Sequence, residues 1–175
     1  MFFVQMAGFP GSGKSTLARE LAKNTGAIII DHDIVKSALM ETPEANTIDT
    51  INAGIISYNI EWALIDFHLF QGETSVILDS PCFYVEGLEK GLNISKKHNV
   101  KYKYIECFLD DINEINDRLS KRKNKISQIQ KVKSEEVFKS AIQNSKHPSD
   151  SKYLVIDTRQ PLQSYIQEAI DYINE

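Results

Sequence analysis

Five short apolar runs punctuate this chain, at residues 2–7, 27–30, 74–78, 102–109 and 153–156. Runs of that length, bounded by turn residues, suit strands of a buried sheet. Between them lie longer stretches of helical period at 14–24, 34–40, 48–70, 85–98, 112–122, 135–144 and 161–173. Strand and helix in turn along the whole chain predict an α/β fold with a mostly parallel sheet. The third helix sets Ile51, Ile55, Tyr58, Trp62, Ile65 and Leu69 three or four apart, one wide apolar face. That face reads as core packing, and no ligand role is assigned to it.

Composition narrows the picture. A length of 175 residues suits one domain, 1–175, with a proper core. The net charge of -4 gives no global reason to bind nucleic acid or an anionic membrane. The N-terminal stretch has neither a basic lead nor a signal-type apolar run, and no run is long enough to span a bilayer, so a cytoplasmic location is expected. Cys82 and Cys107 have no metal-type spacing and read as reduced thiols, Cys82 as one lining a pocket.

The chemistry starts at Gly8-Phe9-Pro10-Gly11-Ser12-Gly13-Lys14-Ser15, which fits G-x-x-x-x-G-K-[ST] between a strand and an amphipathic helix. Glycines there let successive N–H groups turn inward and form an anion nest at a helix N-terminus. Gly8, Pro10, Gly11, Ser12, Gly13, Lys14, Ser15 and Thr16 are therefore the expected nucleotide cradle. Lys14 would reach the β- and γ-phosphates, and the Ser15 hydroxyl would hold Mg²⁺. A plain strand-to-helix turn needs neither group. "NKIS" at 124–127 lacks the aspartate of a guanine reader, and no second ATPase signature follows, which leaves a small phosphotransferase using ATP and Mg²⁺.

Carboxylates close two of the strands. In "IIIDHDIVKSAL", an extended backbone would put Asp31 and Asp33 on one side and His32 on the other. Asp33 is either a helix N-cap or the base that deprotonates an acceptor hydroxyl, with Lys36 one turn later against the acceptor. Asp31 helps there or organises the loop, and His32 reads as a packed or surface histidine and not as a catalyst. In "SVILDSP", Asp79 matches a Walker B carboxylate that holds Mg²⁺ and balances Lys14, with Ser80 beside metal and acceptor. Residues 118–133 carry seven basic side chains and no acidic one. They form either a solvated face or a flap over phosphate, and Arg118 and Arg122, four apart on one helix face, favour the flap.

Taken together, "GFPGSGKST", "DHDIVKSAL", "GETSVILDSP", "RLSKR" and "YLVIDTRQPL" resemble, in order, the AAA-domain group of P-loop kinases related to adenylate kinase. That group includes zeta-toxin-like, chloramphenicol-phosphotransferase-like and polynucleotide-kinase-like proteins. The resemblance implies a P-loop NTPase three-layer sandwich: a five-stranded parallel sheet, order 2-3-1-4-5, with helices on both faces and a lid over about 118–145. It also implies that Asp33 activates the acceptor, that Lys36 stands where relatives often carry arginine, and that Arg118 and Arg122 are lid arginines. Residues 157–161 would lie against adenine, with Thr158 and Arg159 as contacts.

The chain has four arginines, Arg19, Arg118, Arg122 and Arg159, and none lies between residues 28 and 83. A mononucleotide acceptor calls for bidentate arginine clamps, and a polynucleotide end calls for a basic aromatic channel. Neither is visible, and a toxin-type sugar-nucleotide acceptor meets the same lack of cations. The expected partner is a small hydroxylated molecule, with Tyr58, Trp62, Phe83 and Tyr84 as candidate pocket aromatics. The chain is expected as a monomer or homodimer, with no membrane or nucleic-acid partner. The competing readings are a nucleotide sensor without transferase activity and a polynucleotide or nucleotide kinase.

Overall fold

The computed structural model describes residues 1–42, 48–149 and 151–175. In chain order the elements are β1 (Phe2–Ala7), α1 (Lys14–Thr25), β2 (Ile28–Asp31), α2 (His32–Met40), α3 (Thr50–Gln71) and β3 (Val76–Asp79). They continue with α4 (Val85–His98), β4 (Lys101–Phe108), α5 (Ile112–Lys121), α6 (Glu135–Gln143), β5 (Leu154–Asp157) and α7 (Leu162–Asn174). The strands form one parallel sheet in the order β2-β3-β1-β4-β5, as the resemblance implied. None of the described helices is long and apolar enough to cross a membrane.

Side chains alternate across the strands, so β1 feeds two cores. Val4 and Met6 pack with Ile77, Ile105, Leu17, Leu21 and the α7 residues Ala169 and Ile173 on one face. Phe3 joins Val76, Leu78, Ile65 and Leu69 on the other. Burial of such an apolar side chain contributes roughly 1.5–3 kcal/mol, and Phe3, Val4 and Met6 are all fully buried. A third cluster, Phe9, Leu109, Ile115, Leu119, Val132 and Phe138, lies between the glycine loop and the segment that follows α5. It roots the basic stretch on the same body as the loop.

Two local expectations need correction. On α3, Ile65 and Leu69 of the six-residue face are buried in the core and Trp62 packs against it, while Ile51 and Ile55 are 76% and 56% exposed. Helix and strand lengths give the reason. Twenty-two helical residues span about 33 Å, whereas the four-residue strands β2 and β3 span about 13 Å. The N-terminal half of α3 therefore overhangs the carboxyl edge of the sheet. The second correction concerns α2, which begins at His32, so the extended geometry that would align Asp31 with Asp33 is absent. The N-cap is Asp31, whose carboxylate accepts from Ile34 N–H at 3.1 Å, while Asp33 sits in the first helical turn.

Candidate active site

The glycine loop takes its shape from three positive φ values, Gly8 at 127°, Gly11 at 89° and Gly13 at 94°. At Gly8 the requirement is also steric, because a Cβ there would stand 2.3 Å from the Cys107 carbonyl oxygen. Gly13 is the N-cap of α1 and supplies no side-chain hydrogen bond, so the first amides of α1 are left for an anion. The Ser12 hydroxyl is buried in the loop without a partner among the described residues. Lys14 folds back and donates to the carbonyls of Gly8 at 2.9 Å and Phe9 at 3.1 Å. Burial pushes its ammonium below the ordinary lysine range, opposed chiefly by the Asp79 carboxylate.

Parallel register sets Asp31 beside Asp79 at the carboxyl ends of β2 and β3, where α/β sheets bind ligands. Burial raises the Asp79 pKa, Lys14 and a hydrogen bond from Ser15 oppose the rise, and Asp31 and Asp33 add to it. A carboxylate so destabilised by its surroundings favours an added cation. The described residues hold no cluster of three or more His, Cys, Asp or Glu that could bind a metal by itself. One hydroxyl, one carboxylate and otherwise water or phosphate oxygens is the donor set that suits Mg²⁺ rather than zinc. Ser15 and Asp79 fit that ion.

On the far side of the loop, Thr158 donates to the Ser12 carbonyl at 2.8 Å, and its own carbonyl accepts from Arg118 at 2.7 Å. Arg118 thus braces the turn after β5 against the phosphate loop and lines a cleft of 770 Å³ with Thr158, Gln160, Leu162 and Tyr165. Arg122 lines the same cleft but is the C-cap of α5, with extended backbone (ψ 150°), so the two arginines do not share a helix face. Its guanidinium donates to Asn124 and to the Ile129 carbonyl, and the Asp33 charge acts against the lowering of its pKa by burial. Arg159 is not brought to the cleft. It pairs with Asp157 at 2.6 Å and Asp110 at 3.5 Å, because two carboxylates flank the turn it stands on.

Residues after α5 reach across to α2. Gln128 donates to the Asp33 carboxylate at 2.6 Å, Ser127 meets the Ser37 hydroxyl at 2.8 Å, and Lys125 lies 3.8 Å from Asp31. The basic stretch therefore covers an acidic edge, not bare solvent. Asp31 and Asp33 both line the cleft beside the glycine loop.

Beside that cleft is a second cavity of 640 Å³ beneath the overhang of α3. Ile51, Ile55, Tyr58, Trp62, Phe83 and Tyr84 supply its mainly apolar wall, and among the described residues Lys36, Lys90 and Glu86 are its charged lining beside His32. Cys82 also lines it, and burial pushes that thiol up to about 12. His32, Lys36, Ser80 and Pro81 line both spaces and form their common wall. His32 is packed and not at the surface, and it is also held in place. Its Nδ1 lies 2.8 Å from Oε1 of the fully buried Glu61, and its ring stacks on Tyr58 at 4.3 Å.

Of the residues singled out from sequence, the structure lines one cleft with Pro10, Gly11, Gly13, Lys14, Ser15, Thr16, Asp31, Asp33, Lys36, Asp79, Ser80, Arg118, Arg122 and Thr158, while Gly8 and the buried Ser12 do not line it. Sequence reasoning missed Glu61, Gln128, Leu162 and Tyr165. Only Glu61 left a trace, as one of two carboxylates within an otherwise apolar helix. Gln128 lies 95 residues from its partner Asp33.

A family model described as AAA domain matches residues 3–148. Among curated protein sequences, none matches the chain. Similar solved structures include a putative kinase from Chloroflexus aurantiacus J-10-fl, at TM-score 0.72 and 16% identity, covering 97% of each chain. A sugar kinase from Janibacter sp. HTCC2649 has TM-score 0.66 and 18% identity, covering 99% of this chain and 94% of the other. A gluconokinase from Sinorhizobium meliloti 1021 has TM-score 0.62 and 15% identity, covering 98% and 90%. At such identities the structural likeness carries the fold, and with the family match over most of the chain it leads to one conclusion: this chain belongs to the AAA domain family and has the fold of a P-loop kinase.

Proposed function

We propose that this protein is a single kinase unit, with a lid over about 118–145, that transfers the γ-phosphate of ATP to a hydroxyl of a small molecule. One observation carries the reading: a phosphate loop with Lys14, Ser15 and Asp79 shares a wall with a second, mainly apolar cavity. A nucleotide sensor has no use for that second space. Small-molecule kinases among the similar structures support the same class of reaction.

ATP would lie with its phosphates against the loop amides and Lys14, and its base toward Thr158, Leu162 and Tyr165. Mg²⁺, held by Ser15 and through water by Asp79, would neutralise the β- and γ-oxygens. The acceptor enters the apolar cavity with its hydroxyl at the common wall. Asp33 accepts the hydroxyl proton as the acceptor oxygen bonds to the γ-phosphorus and the bond from that phosphorus to the β-bridging oxygen breaks, so ADP leaves. Gln128 has to release Asp33 first, which couples the step to movement of the lid. Arg122 offsets charge on the transferring group, and Arg118 fixes the turn beneath the base. Acceptor contacts fall to Lys36 and Ser80. Among the described residues the cavity has no arginine to clamp a phosphate, and its aromatic wall suits an uncharged, ring-bodied alcohol. Magnesium dependence and a cytoplasmic setting belong to the same proposal.

The test is ADP release with Mg²⁺ across a panel of sugars, sugar acids, nucleosides, nucleotides, oligonucleotides and aromatic or aminocyclitol alcohols. Stimulation by an uncharged alcohol, abolished in Asp33→Asn with ATP affinity retained, supports the reading. Tight ATP binding that no compound stimulates favours the sensor. Full acceptor turnover in Asp33→Asn removes Asp33 as the base.

A further inference from the structure

The outer face of α3 takes no part in the cavity or the core. Ile56, Ile60, Ala63, Phe67 and Phe70 follow one another at spacings of four, three, four and three, with Leu64 alongside. That is the seam spacing of a helix that packs along another helix. All six are exposed, Phe67 by 54% and Phe70 by 75%. Among the described residues nothing covers them. Nor does charge explain the face: the 22 residues of α3 include two carboxylates and no lysine or arginine. Glu61 is buried against His32, and Asp66 is held by Lys97 and His98.

We infer that this stripe is the two-fold interface of a homodimer, with α3 packed antiparallel against α3 of a second copy. Register is the first argument. A dyad at Ala63 sets Ile56 opposite the partner's Phe70 and Ile60 within one residue of the level of the partner's Phe67, so the two isoleucines meet aromatic side chains. The smallest residue of the seam then falls where the helices cross and lets them approach closely. Area is the second argument. The two phenylalanines leave about 250 Å² in water and the whole stripe roughly 500 Å², so pairing two copies removes on the order of 1,000 Å², the lower bound of a specific interface. A stripe of roughly 500 Å² lies toward the upper end of the largest apolar patch that a monomer exposes, and patches of that size are often functional. Low charge is the third, since the one carboxylate beside the seam, Asp66, is paired with Lys97, and the face meets its own copy with little repulsion.

The test is sedimentation velocity on the full chain over a rising micromolar concentration series, with Phe67→Glu/Phe70→Glu and Ala63→Cys in parallel. The expected wild-type mass approaches twice the 19.9 kDa of one chain. The double glutamate variant stays at one chain mass with an unchanged far-ultraviolet dichroism spectrum. Ala63→Cys forms an intermolecular disulfide under mild oxidation and the wild type does not, because Cys82 and Cys107 are buried. A wild type that remains a monomer overturns the inference, as does a dimer that survives the two glutamates. ATP turnover of the monomeric variant reports separately on the kinase reading, because neither phenylalanine lines the cleft or the cavity.

Discussion

Replacing Gly8 by alanine separates two roles of glycine, because Gly26 supplies an internal control. Both residues have positive φ, 127° at Gly8 and 72° at Gly26. A Cβ on Gly26 meets nothing within 4 Å, whereas on Gly8 it stands 2.3 Å from the Cys107 carbonyl and 2.7 Å from the Ser12 hydroxyl. Gly26→Ala therefore incurs only the backbone term, about 1–2 kcal/mol. Gly8→Ala adds displacement of loop backbone from β4, comparable to overpacking a core, for a total of about 3–5 kcal/mol. At roughly 2–4 °C per kcal/mol for a chain of this size, Tm falls by about 3–6 °C in the control and about 10–15 °C in Gly8→Ala. The functional contrast is sharper. A loop pushed off β4 also misdirects its amides, so Gly8→Ala loses nucleotide binding while Gly26→Ala keeps it. Differential scanning fluorimetry with and without MgATP reads both quantities. Equal Tm losses, with MgATP still raising Tm in Gly8→Ala, would refute the close approach of loop and strand.

Two further outcomes follow from the same geometry. Glu61→Ala leaves the buried His32 Nδ1 without its partner and opens a void, so stability drops by about 2–4 kcal/mol while Glu61→Gln loses far less; equal unfolding midpoints in urea for the two variants would show that His32 is not held by this contact. Burial pushes Cys82 and Cys107 up to about 12 each. Folded values above unfolded ones mean that the stability these thiols contribute is complete below the ordinary thiol range and is lost as pH rises through it toward 12. Iodoacetamide labelling near pH 8.5 is accordingly slow in the native chain and fast in urea, and native labelling at the free-thiol rate would contradict the burial.

Much of the fold was legible because its rules are local. Apolar runs of four to eight residues and helical periods between them fix alternating elements, and the strand boundaries fall within two residues of the pattern. The glycine loop was legible for a similar reason, since positive φ at Gly8, Gly11 and Gly13 and an open helix N-terminus are properties of a short segment. Asp79 followed from its place at a strand end. Asp33 was located but its surroundings were not: the N-cap fell to Asp31, and Gln128, in the segment after α5, donates to the Asp33 carboxylate.

By itself, then, the sequence determined an α/β chain with a phosphate-binding loop, a carboxylate beside it and no arginine clamp for an acceptor phosphate. Tertiary structure alone decided which apolar face meets the core. Periodicity reports that α3 has an apolar row, but a helix two and a half times longer than its strands must leave part of that row over a cavity. It also decided that Glu61 orients His32 across 29 positions and that Thr158 braces the loop from 146 positions away. Such pairings depend on how the elements pack, and a hydrogen bond between distant residues leaves no period in the chain.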